Sequence, residues 1–166
     1  MCIRDSHRVE SARAALDAHL ARRAAAAIEA AAVLDPASGL ILAAAGSESL
    51  AEGPARDGGG AVAEEVENDL TRALQHTLGD AREVIRLRAN PLAADLLDAL
   101  AAACIRVQLA RRFLNDAVSQ AQRVRRKRVV RWARLAGRAG MPQMVEIDDT
   151  VPRGLVDTAA EPDRLV

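Results

Sequence analysis

The chain has 166 residues, and its 23 basic and 23 acidic side chains give a formal net charge of zero at pH 7. Half of the residues are hydrophobic, yet there is one Phe, one Trp and no Tyr. A core of Ala, Leu and Val lets helices approach closely, whereas β-sandwiches and barrels use more aromatic and β-branched residues. The composition therefore predicts an all-α protein, a slim helical bundle without a sheet.

The first six residues differ from the rest of the chain. Met1–Ser6 matches the translation of a transposase-type sequencing adapter. We therefore expect these residues to be foreign to the gene and exclude them from the fold. The native chain would then enter at about His7, inside a helix that shows no N-cap signal, with its true N-terminus missing.

A helical period predicts the first helix over residues 8–34. Its apolar stripe consists of Val9, Ala12, Leu16, Leu20, Ala24, Ala27, Ala31 and Leu34. The opposite, polar face is predicted to carry Arg8, Arg13, Arg22 and Arg23. Asp35-Pro36 ends this helix, because a residue before Pro avoids the helical conformation, and Asp35 can cap the next helix.

Two further helical regions are predicted before the longest helix. The first is an Ala-rich stretch over residues 36–52, after which Gly53-Pro54 and the Gly58–Gly60 triplet form a flexible connector. The triplet lacks the preceding strand and the Lys-Ser/Thr ending of a phosphate-binding loop. The helical period then resumes over residues 61–88, with a break at Gly79-Asp80.

The longest predicted helix covers residues 91–136, and the rest of the bundle is organised around it. Asn90 is a good N-cap, and Pro91 suits the first helical position. The apolar stripe is spaced by threes and fours: Leu92, Leu96, Leu100, Ala103, Val107, Ala110, Leu114, Ala117, Ala121 and Val124. A helix of this length is not stable alone in water, so the other helices must cover this stripe.

The C-terminal residues change in character. Gly137, Gly140 and Pro142 end the long helix. Residues 150–166 are polar and contain proline, which predicts a disordered tail and leaves residues 7–149 as the bundle.

Basic residues crowd the second half of the long helix. Between Arg106 and Arg138 the only acidic residue is Asp116. The candidate residues for binding an anionic surface are Arg123, Arg125, Arg126, Lys127, Arg128, Arg131 and Arg134. Three interpretations are open: a solvated helix face, attraction to anionic lipid headgroups, or binding of nucleic-acid phosphates, for which Trp132 would be the only aromatic residue for base stacking. Acidic residues of the tail could also fold back and screen the basic ones.

No catalytic or metal-binding constellation stands out. The histidines lie on different segments without metal-ligand spacing: His7, His19 and His76. Glu64 and Glu67 have helical spacing but no Glu-X-X-His partner, so a solvated face is favoured over a carboxylate metal site. Cys104 lies beside the apolar stripe and is interpreted as a small core residue. Because nucleophile elbows and dinucleotide motifs are also absent, we predict no enzymatic activity, cofactor or metal.

Several segments resemble the LemA family. Leu109–Val118 is similar to the family's Ala-Arg-X-aromatic-Tyr-Asn-X-X-Val segment. Ala89-Asn90 followed by Leu96–Leu100 resembles the Ala-Asn that precedes its Leu-Gln-X-X-Leu. Leu16–Arg23 resembles Asp-Val-Gln-Leu-X-Arg-Arg near the start of the domain, and Asn68–Leu74 falls between these segments at the expected place. Together they cover nearly the whole chain in order.

The resemblance is to a divergent branch, because Leu114 stands where the family has Tyr. It implies an antiparallel bundle of three to four long helices, tied to the bacterial cytoplasmic membrane by one N-terminal transmembrane helix, which would lie upstream of this sequence. Arginines at the start of the first helix favour a bundle on the cytoplasmic side. No catalytic activity is implied, so we expect a scaffold or adaptor whose protein partner is unknown. The alternative is a soluble nucleic-acid-binding helical protein that uses Arg123–Arg138.

Overall fold

The computed structural model describes residues 2–52, 60–126 and 142–159. Within these residues the chain forms six helices: α1 (Cys2–Ala31), α2 (Pro36–Glu52), α3 (Gly60–Leu78), α4 (Ala81–Arg88), α5 (Pro91–Arg126) and α6 (Arg153–Ala159). The described residues contain no strand, and the all-α class is confirmed. None of the described helices is long and apolar enough to cross a membrane.

The four longest helices alternate in direction. α1 packs along both α5 and α2, and α2 also packs on α3. Arg8 near the start of α1 donates from Nη1 to Gln120 Oε1 near the end of α5 at 3.2 Å, so these two helices are antiparallel. Ser49 near the end of α2 bonds Glu67 in the first half of α3. The short helices α4 and α6 pack on each other beside the end of α3 and the start of α5.

Side-chain caps fix where the helices begin. Asp35 Oδ1 accepts bonds from two first-turn amides of α2 at 3.1 Å, and Asn90 Oδ1 accepts one from α5 at 3.0 Å. Both predicted caps are therefore confirmed. The predicted break at Gly79-Asp80 is also present and divides residues 61–88 into α3 and α4, with Asp80 Oδ1 capping α4 at 2.9 Å.

The predicted stripe of α5 is buried from its third member to its ninth: Leu100, Ala103, Val107, Ala110, Leu114, Ala117 and Ala121. At its start the prediction is wrong, because Leu92 is 63% exposed, whereas Ala93 and Leu97 are buried. Each step of four residues turns the helix about 40° past a full turn. Two such steps from Leu100 therefore carry Leu92 about 80° away from the core-facing side.

Small residues bring α1 and α2 together, as the composition predicts. A Cβ at Gly46 would lie 2.9 Å from Ile28 Cγ1 and 3.0 Å from the carbonyl oxygen of Ala24. Any side chain at this position would push the two helices apart, so the close contact depends on glycine.

Three predicted boundaries need correction. The first helix begins at Cys2, so Cys2–Ser6, which were expected to lie outside the fold, belong to α1. The first helix ends at Ala31, and residues 32–34 form a turn before Asp35. Predicted disorder after residue 150 is wrong as far as residue 159, because this part of the tail enters α6 and Leu155 is completely buried in the core. The predicted helical residues 127–136, like residues 160–166, lie outside the described residues.

Candidate functional site

The most distinctive feature of the bundle is a groove between α3 and α5. Among the described residues, no Cα of α3 lies within 8 Å of a Cα of α5. An extended segment, residues 142–152, occupies this groove, and we call it the strap. It runs parallel to α3 and antiparallel to α5, as the contacts below establish.

Three amide side chains of α5 bind the strap backbone. Asn115 donates from Nδ2 to the Val145 carbonyl at 3.2 Å and accepts from the Val145 amide through Oδ1 at 3.0 Å. Carbonyls on either side receive single bonds of 2.8 Å: Gln122 Nε2 donates to Pro142, and Gln108 Nε2 donates to Asp149. The three amides are seven residues apart, which is about 10.5 Å along a helix and matches three to four residues of extended chain, about 10–13 Å.

A second row of side chains on α3 binds the other edge of the strap. Asn68 Oδ1 accepts from the Asp148 amide at 2.7 Å, and Thr71 Oγ1 donates to the Asp148 carbonyl at 2.6 Å. Gln75 Nε2 donates to the Thr150 carbonyl at 3.0 Å. Polar side chains therefore take the place of a neighbouring β-strand for this extended backbone, whose buried polar groups would otherwise lack partners.

An ion pair fixes the strap at its acidic end. Arg111 donates from Nε and Nη2 to the two carboxylate oxygens of Asp149, at 2.6 and 3.1 Å. The hydrogen bond that Arg111 donates to Asp149, together with the charges of Asp149 and Asp148, raises the pKa of the Arg111 guanidinium above its usual range. Both side chains are partly buried, and such two-point contacts add geometric specificity as well as energy. This pair does not test whether the acidic tail folds back on the basic run from Arg123 to Arg134, because Arg111 lies outside that run, so that expectation stays a prediction.

A buried polar network lies beside the groove. Arg23 Nη2 pairs with Glu67 Oε2 at 2.6 Å, and Arg23 Nη1 donates to Thr71 Oγ1 at 3.1 Å. The other carboxylate oxygen of Glu67 accepts from Ser49 Oγ at 2.6 Å. The side chain of Thr71 thus contacts both Arg23 and the strap, which links α1, α2, α3 and the strap through one set of hydrogen bonds.

This network overturns two predictions from the sequence. Arg23 was expected on the polar face of the first helix, and Glu67 on a solvated face, but they are 1% and 7% exposed. The spacing held a signal, because Arg23 lies seven residues after Leu16 and four before Ala27, both of them core positions. Its charge outweighed its position in the prediction. The burial is tolerated because each charge meets an opposite charge and further hydrogen bonds.

Cys104 occupies the core of α5, as predicted. It is 3% exposed, and burial raises the pKa of its thiol to about 11, although the Arg23 charge acts in the opposite direction. A thiolate is the reactive form of cysteine, so this environment makes Cys104 a poor nucleophile. Within the described parts of the chain, no three His, Cys, Asp or Glu residues come together as metal ligands.

The outer face of α5 carries exposed apolar and basic residues. Ile105, Leu109 and Phe113 are 47%, 46% and 68% exposed and follow one another at intervals of four residues. Arg106 and Arg112 are exposed on the same part of the helix. Because an exposed aromatic residue beside other apolar side chains is typical of interaction sites, we call these three apolar residues the outer stripe.

The structure describes only part of the predicted basic surface. Arg123 is exposed near the end of α5. Arg125 and Arg126 belong to the last turn of that helix, but their side chains are not described. The other predicted surface residues lie outside the described residues: Lys127, Arg128, Arg131 and Arg134.

Comparison with known proteins adds no relative to this picture. No family model, curated protein or solved structure matches the chain. The LemA resemblance therefore stays a prediction that rests on the motifs of the sequence.

Proposed function

We propose that this protein is a non-enzymatic scaffold or adaptor, a helical bundle anchored to the bacterial cytoplasmic membrane by a helix upstream of the present sequence. Its bundle would lie on the cytoplasmic side. The order of the LemA-like motifs supports this proposal. The interior polar groups also support it. Arg23, Glu67 and Thr71 bind one another and hold the helices and the strap together, and the thiol of Cys104 is buried.

The observation that carries the proposal is the outer stripe of α5. Phe113 is the only Phe of the chain and is 68% exposed, although the core holds many smaller apolar residues. An adaptor needs such a surface, because a few side chains near the centre of an interface, aromatic ones prominent among them, provide most of the binding free energy. Arg106 and Arg112 would supply the polar rim of this contact.

The membrane part of the proposal is tested by flotation of the purified chain with lipid vesicles. Vesicles of phosphatidylcholine are compared with vesicles that also contain phosphatidylglycerol. Each basic residue near an anionic surface contributes about 1 kcal/mol, so Arg123→Gln with Arg126→Gln should weaken binding to the anionic vesicles markedly. The matched control is Arg22→Gln with Arg82→Gln, which removes the same charge from exposed positions on α1 and α4.

Equal loss in the two double variants would show that total charge, and not this end of α5, governs binding. The scaffold part would fail if the purified protein hydrolysed nucleotides or peptides at an ordinary enzyme rate and lost that activity on one point substitution.

A second candidate is binding of single-stranded nucleic acid by the basic end of α5. The specific observation in its favour is that Phe113 lies exposed next to Arg112, which adds an aromatic side chain for base stacking. Binding should then weaken steeply with salt, and Arg123→Gln should flatten that dependence. Phe113→Ala should weaken binding at every salt concentration. Absent or salt-insensitive binding would remove this candidate.

A further inference from the structure

We propose that the groove between α3 and α5 is a binding site for an extended peptide of a partner protein, and that the strap occupies this site as an internal competitor. The expected partner segment has two aliphatic residues two positions apart, followed after one residue by an aspartate. This pattern is that of Val145, Ile147 and Asp149 in the strap. The inference rests on the proposed adaptor function and names the chemistry of its partner.

The groove recognises the backbone of its occupant. Asn115 binds both backbone groups of Val145, and Asn68 with Thr71 bind both backbone groups of Asp148. These bonds do not depend on the side chains of the occupant. Any extended segment that places its backbone amides and carbonyls at the same positions can form them, as in other sites that bind extended peptides through their main chain.

Side-chain selectivity comes from two places in the groove. Ile147 is 7% exposed and packs into the apolar cluster that contains Val107 and Leu114, so this position favours an aliphatic residue. The Arg111 guanidinium then requires a carboxylate at the position of Asp149. A basic residue at that position would leave two cations face to face, which is strongly unfavourable in a partly buried site.

The strap has an advantage over any partner because it is part of the same chain. The strap and α5 belong to one chain, so binding of the strap is intramolecular, which raises its effective concentration at the groove above that of a separate peptide. A partner peptide must overcome that advantage. Weakening one strap contact without altering the groove should therefore expose the site, and Asp149→Arg does this, because it changes only the occupant.

The experiment uses a fluorescein-labelled peptide of residues 142–156 and the full chain, with binding followed by fluorescence anisotropy. The Asp149→Arg chain should bind the wild-type peptide at least tenfold more tightly than the wild-type chain does. The same peptide carrying Asp149→Arg should not bind it. The matched control chain is Glu146→Arg, which places the same charge on the strap at an exposed position away from Arg111.

Reversal of the charge on the groove provides the complementary test. The Arg111→Asp chain should prefer the peptide carrying Asp149→Arg over the wild-type peptide. The proposal is wrong if the Asp149→Arg chain binds the wild-type peptide no better than the Glu146→Arg chain does. It is also wrong if the charge at position 149 of the peptide has no effect.

A measurement on the wild-type chain covers the case in which a variant fails to fold. An excess of the wild-type peptide should speed hydrogen exchange at the Val145 and Asp148 amides, and leave core amides of α5 such as Leu114 unchanged. Unchanged exchange at all of these amides would overturn the groove proposal. Vesicle flotation and partner contacts through the outer stripe do not involve the groove. The groove proposal can therefore fail while these two tests still support the adaptor function.

Discussion

The guanidinium of Arg23 and the carboxylate of Glu67 form an ion pair of 2.6 Å inside the bundle, with only 2% and 9% of the two side chains exposed. The pair joins α1 to α3, and Ser49 on α2 and Thr71 on α3 add further hydrogen bonds to it. Arg23 Nε is buried and has no hydrogen-bond partner among the described residues. Two charges taken out of water are tolerated only when each is paired and hydrogen-bonded. Removal of either partner should therefore be far more damaging than removal of both.

Arg23→Met is expected to lower the free energy of unfolding by about 3–5 kcal/mol, because it leaves the Glu67 carboxylate buried without a counter-charge. Urea denaturation followed by circular dichroism measures this loss. The double variant Arg23→Met with Glu67→Met should recover a large part of it, since apolar side chains of similar length can replace a buried pair.

Arg22→Met is the matched control, since Arg22 is the neighbouring residue and is exposed. We expect it to change the free energy of unfolding by less than about 0.5 kcal/mol. If Arg22→Met and Arg23→Met had equal effects, the buried pair would not contribute to stability.

The sequence predicts the start and the buried face of α5, but it does not predict the burial of Arg23 on α1. The caps and the stripe from Leu100 onward follow from local rules, because a helix start and a helical period are properties of neighbouring residues. The burial of Arg23 depends on a partner 44 residues away in the chain, and no local rule supplies that partner. Without that partner, the charge of Arg23 predicts a place on the polar face.

The strap shows the same limit in the candidate site. Apolar and polar residues alternate in this segment only from Val145 to Asp148, and the sequence predicts no neighbouring strand with which so short a stretch could pair. The order of the strap comes from side chains on two distant helices. A local signal does exist in Gln108, Asn115 and Gln122, which repeat every seven residues on α5 beside the core face. Such a repeat of amides indicates a polar partner, but it does not identify the segment that binds there.

Asp148 should make the stability of the protein dependent on pH in the acid range. Hydrogen bonds from the hydroxyl and amide of Thr150, with the charges of Arg23 and Arg111, lower its pKa from the usual 3.8. Because the pKa is lower in the folded state, the charged Asp148 carboxylate stabilises the fold. This stabilisation is complete above pH 3.8 and is lost as pH falls from 3.8 through the folded-state pKa. NMR titration of the Asp148 carboxylate should show this, and Thr150→Val should move the pKa upward.

Asp17 provides a control of opposite sign. Burial raises the pKa of its carboxyl above 3.8, although the charge of Arg13 acts against this. The charged form of Asp17 is therefore disfavoured in the folded state. Its ionisation lowers the free energy of unfolding as pH rises from 3.8 through the folded-state pKa. Asp17→Asn should raise the midpoint of urea unfolding at neutral pH, and the gain should vanish in acid. A gain that persisted in acid would point to a cause other than this carboxylate.

Cys104 should resist alkylation as long as the protein is folded. Its thiol has a pKa of about 11 and is 3% exposed, so at pH 8 both the thiolate fraction and the access of the reagent are small. Treatment with iodoacetamide and mass spectrometry of the peptide that contains Cys104 should detect little modification before unfolding. Complete modification in guanidinium chloride is the control. Rapid modification of the folded protein would show that the centre of α5 opens readily.

Gly154→Ala should loosen α6 and the end of the strap. A Cβ at Gly154 would lie 2.4 Å from the Leu78 carbonyl oxygen and 2.7 Å from Val84 Cγ2, and a backbone oxygen cannot move aside as the end of a flexible side chain can. We expect a loss of about 1–3 kcal/mol in the free energy of unfolding, as for other overpacked sites. Hydrogen exchange should then increase at the amide of Leu155, which bonds the Pro152 carbonyl at 3.0 Å. Arg153→Ala, at the exposed neighbouring position, is the control, and equal effects of the two variants would mean that the close contact at Gly154 does not hold α6 in place.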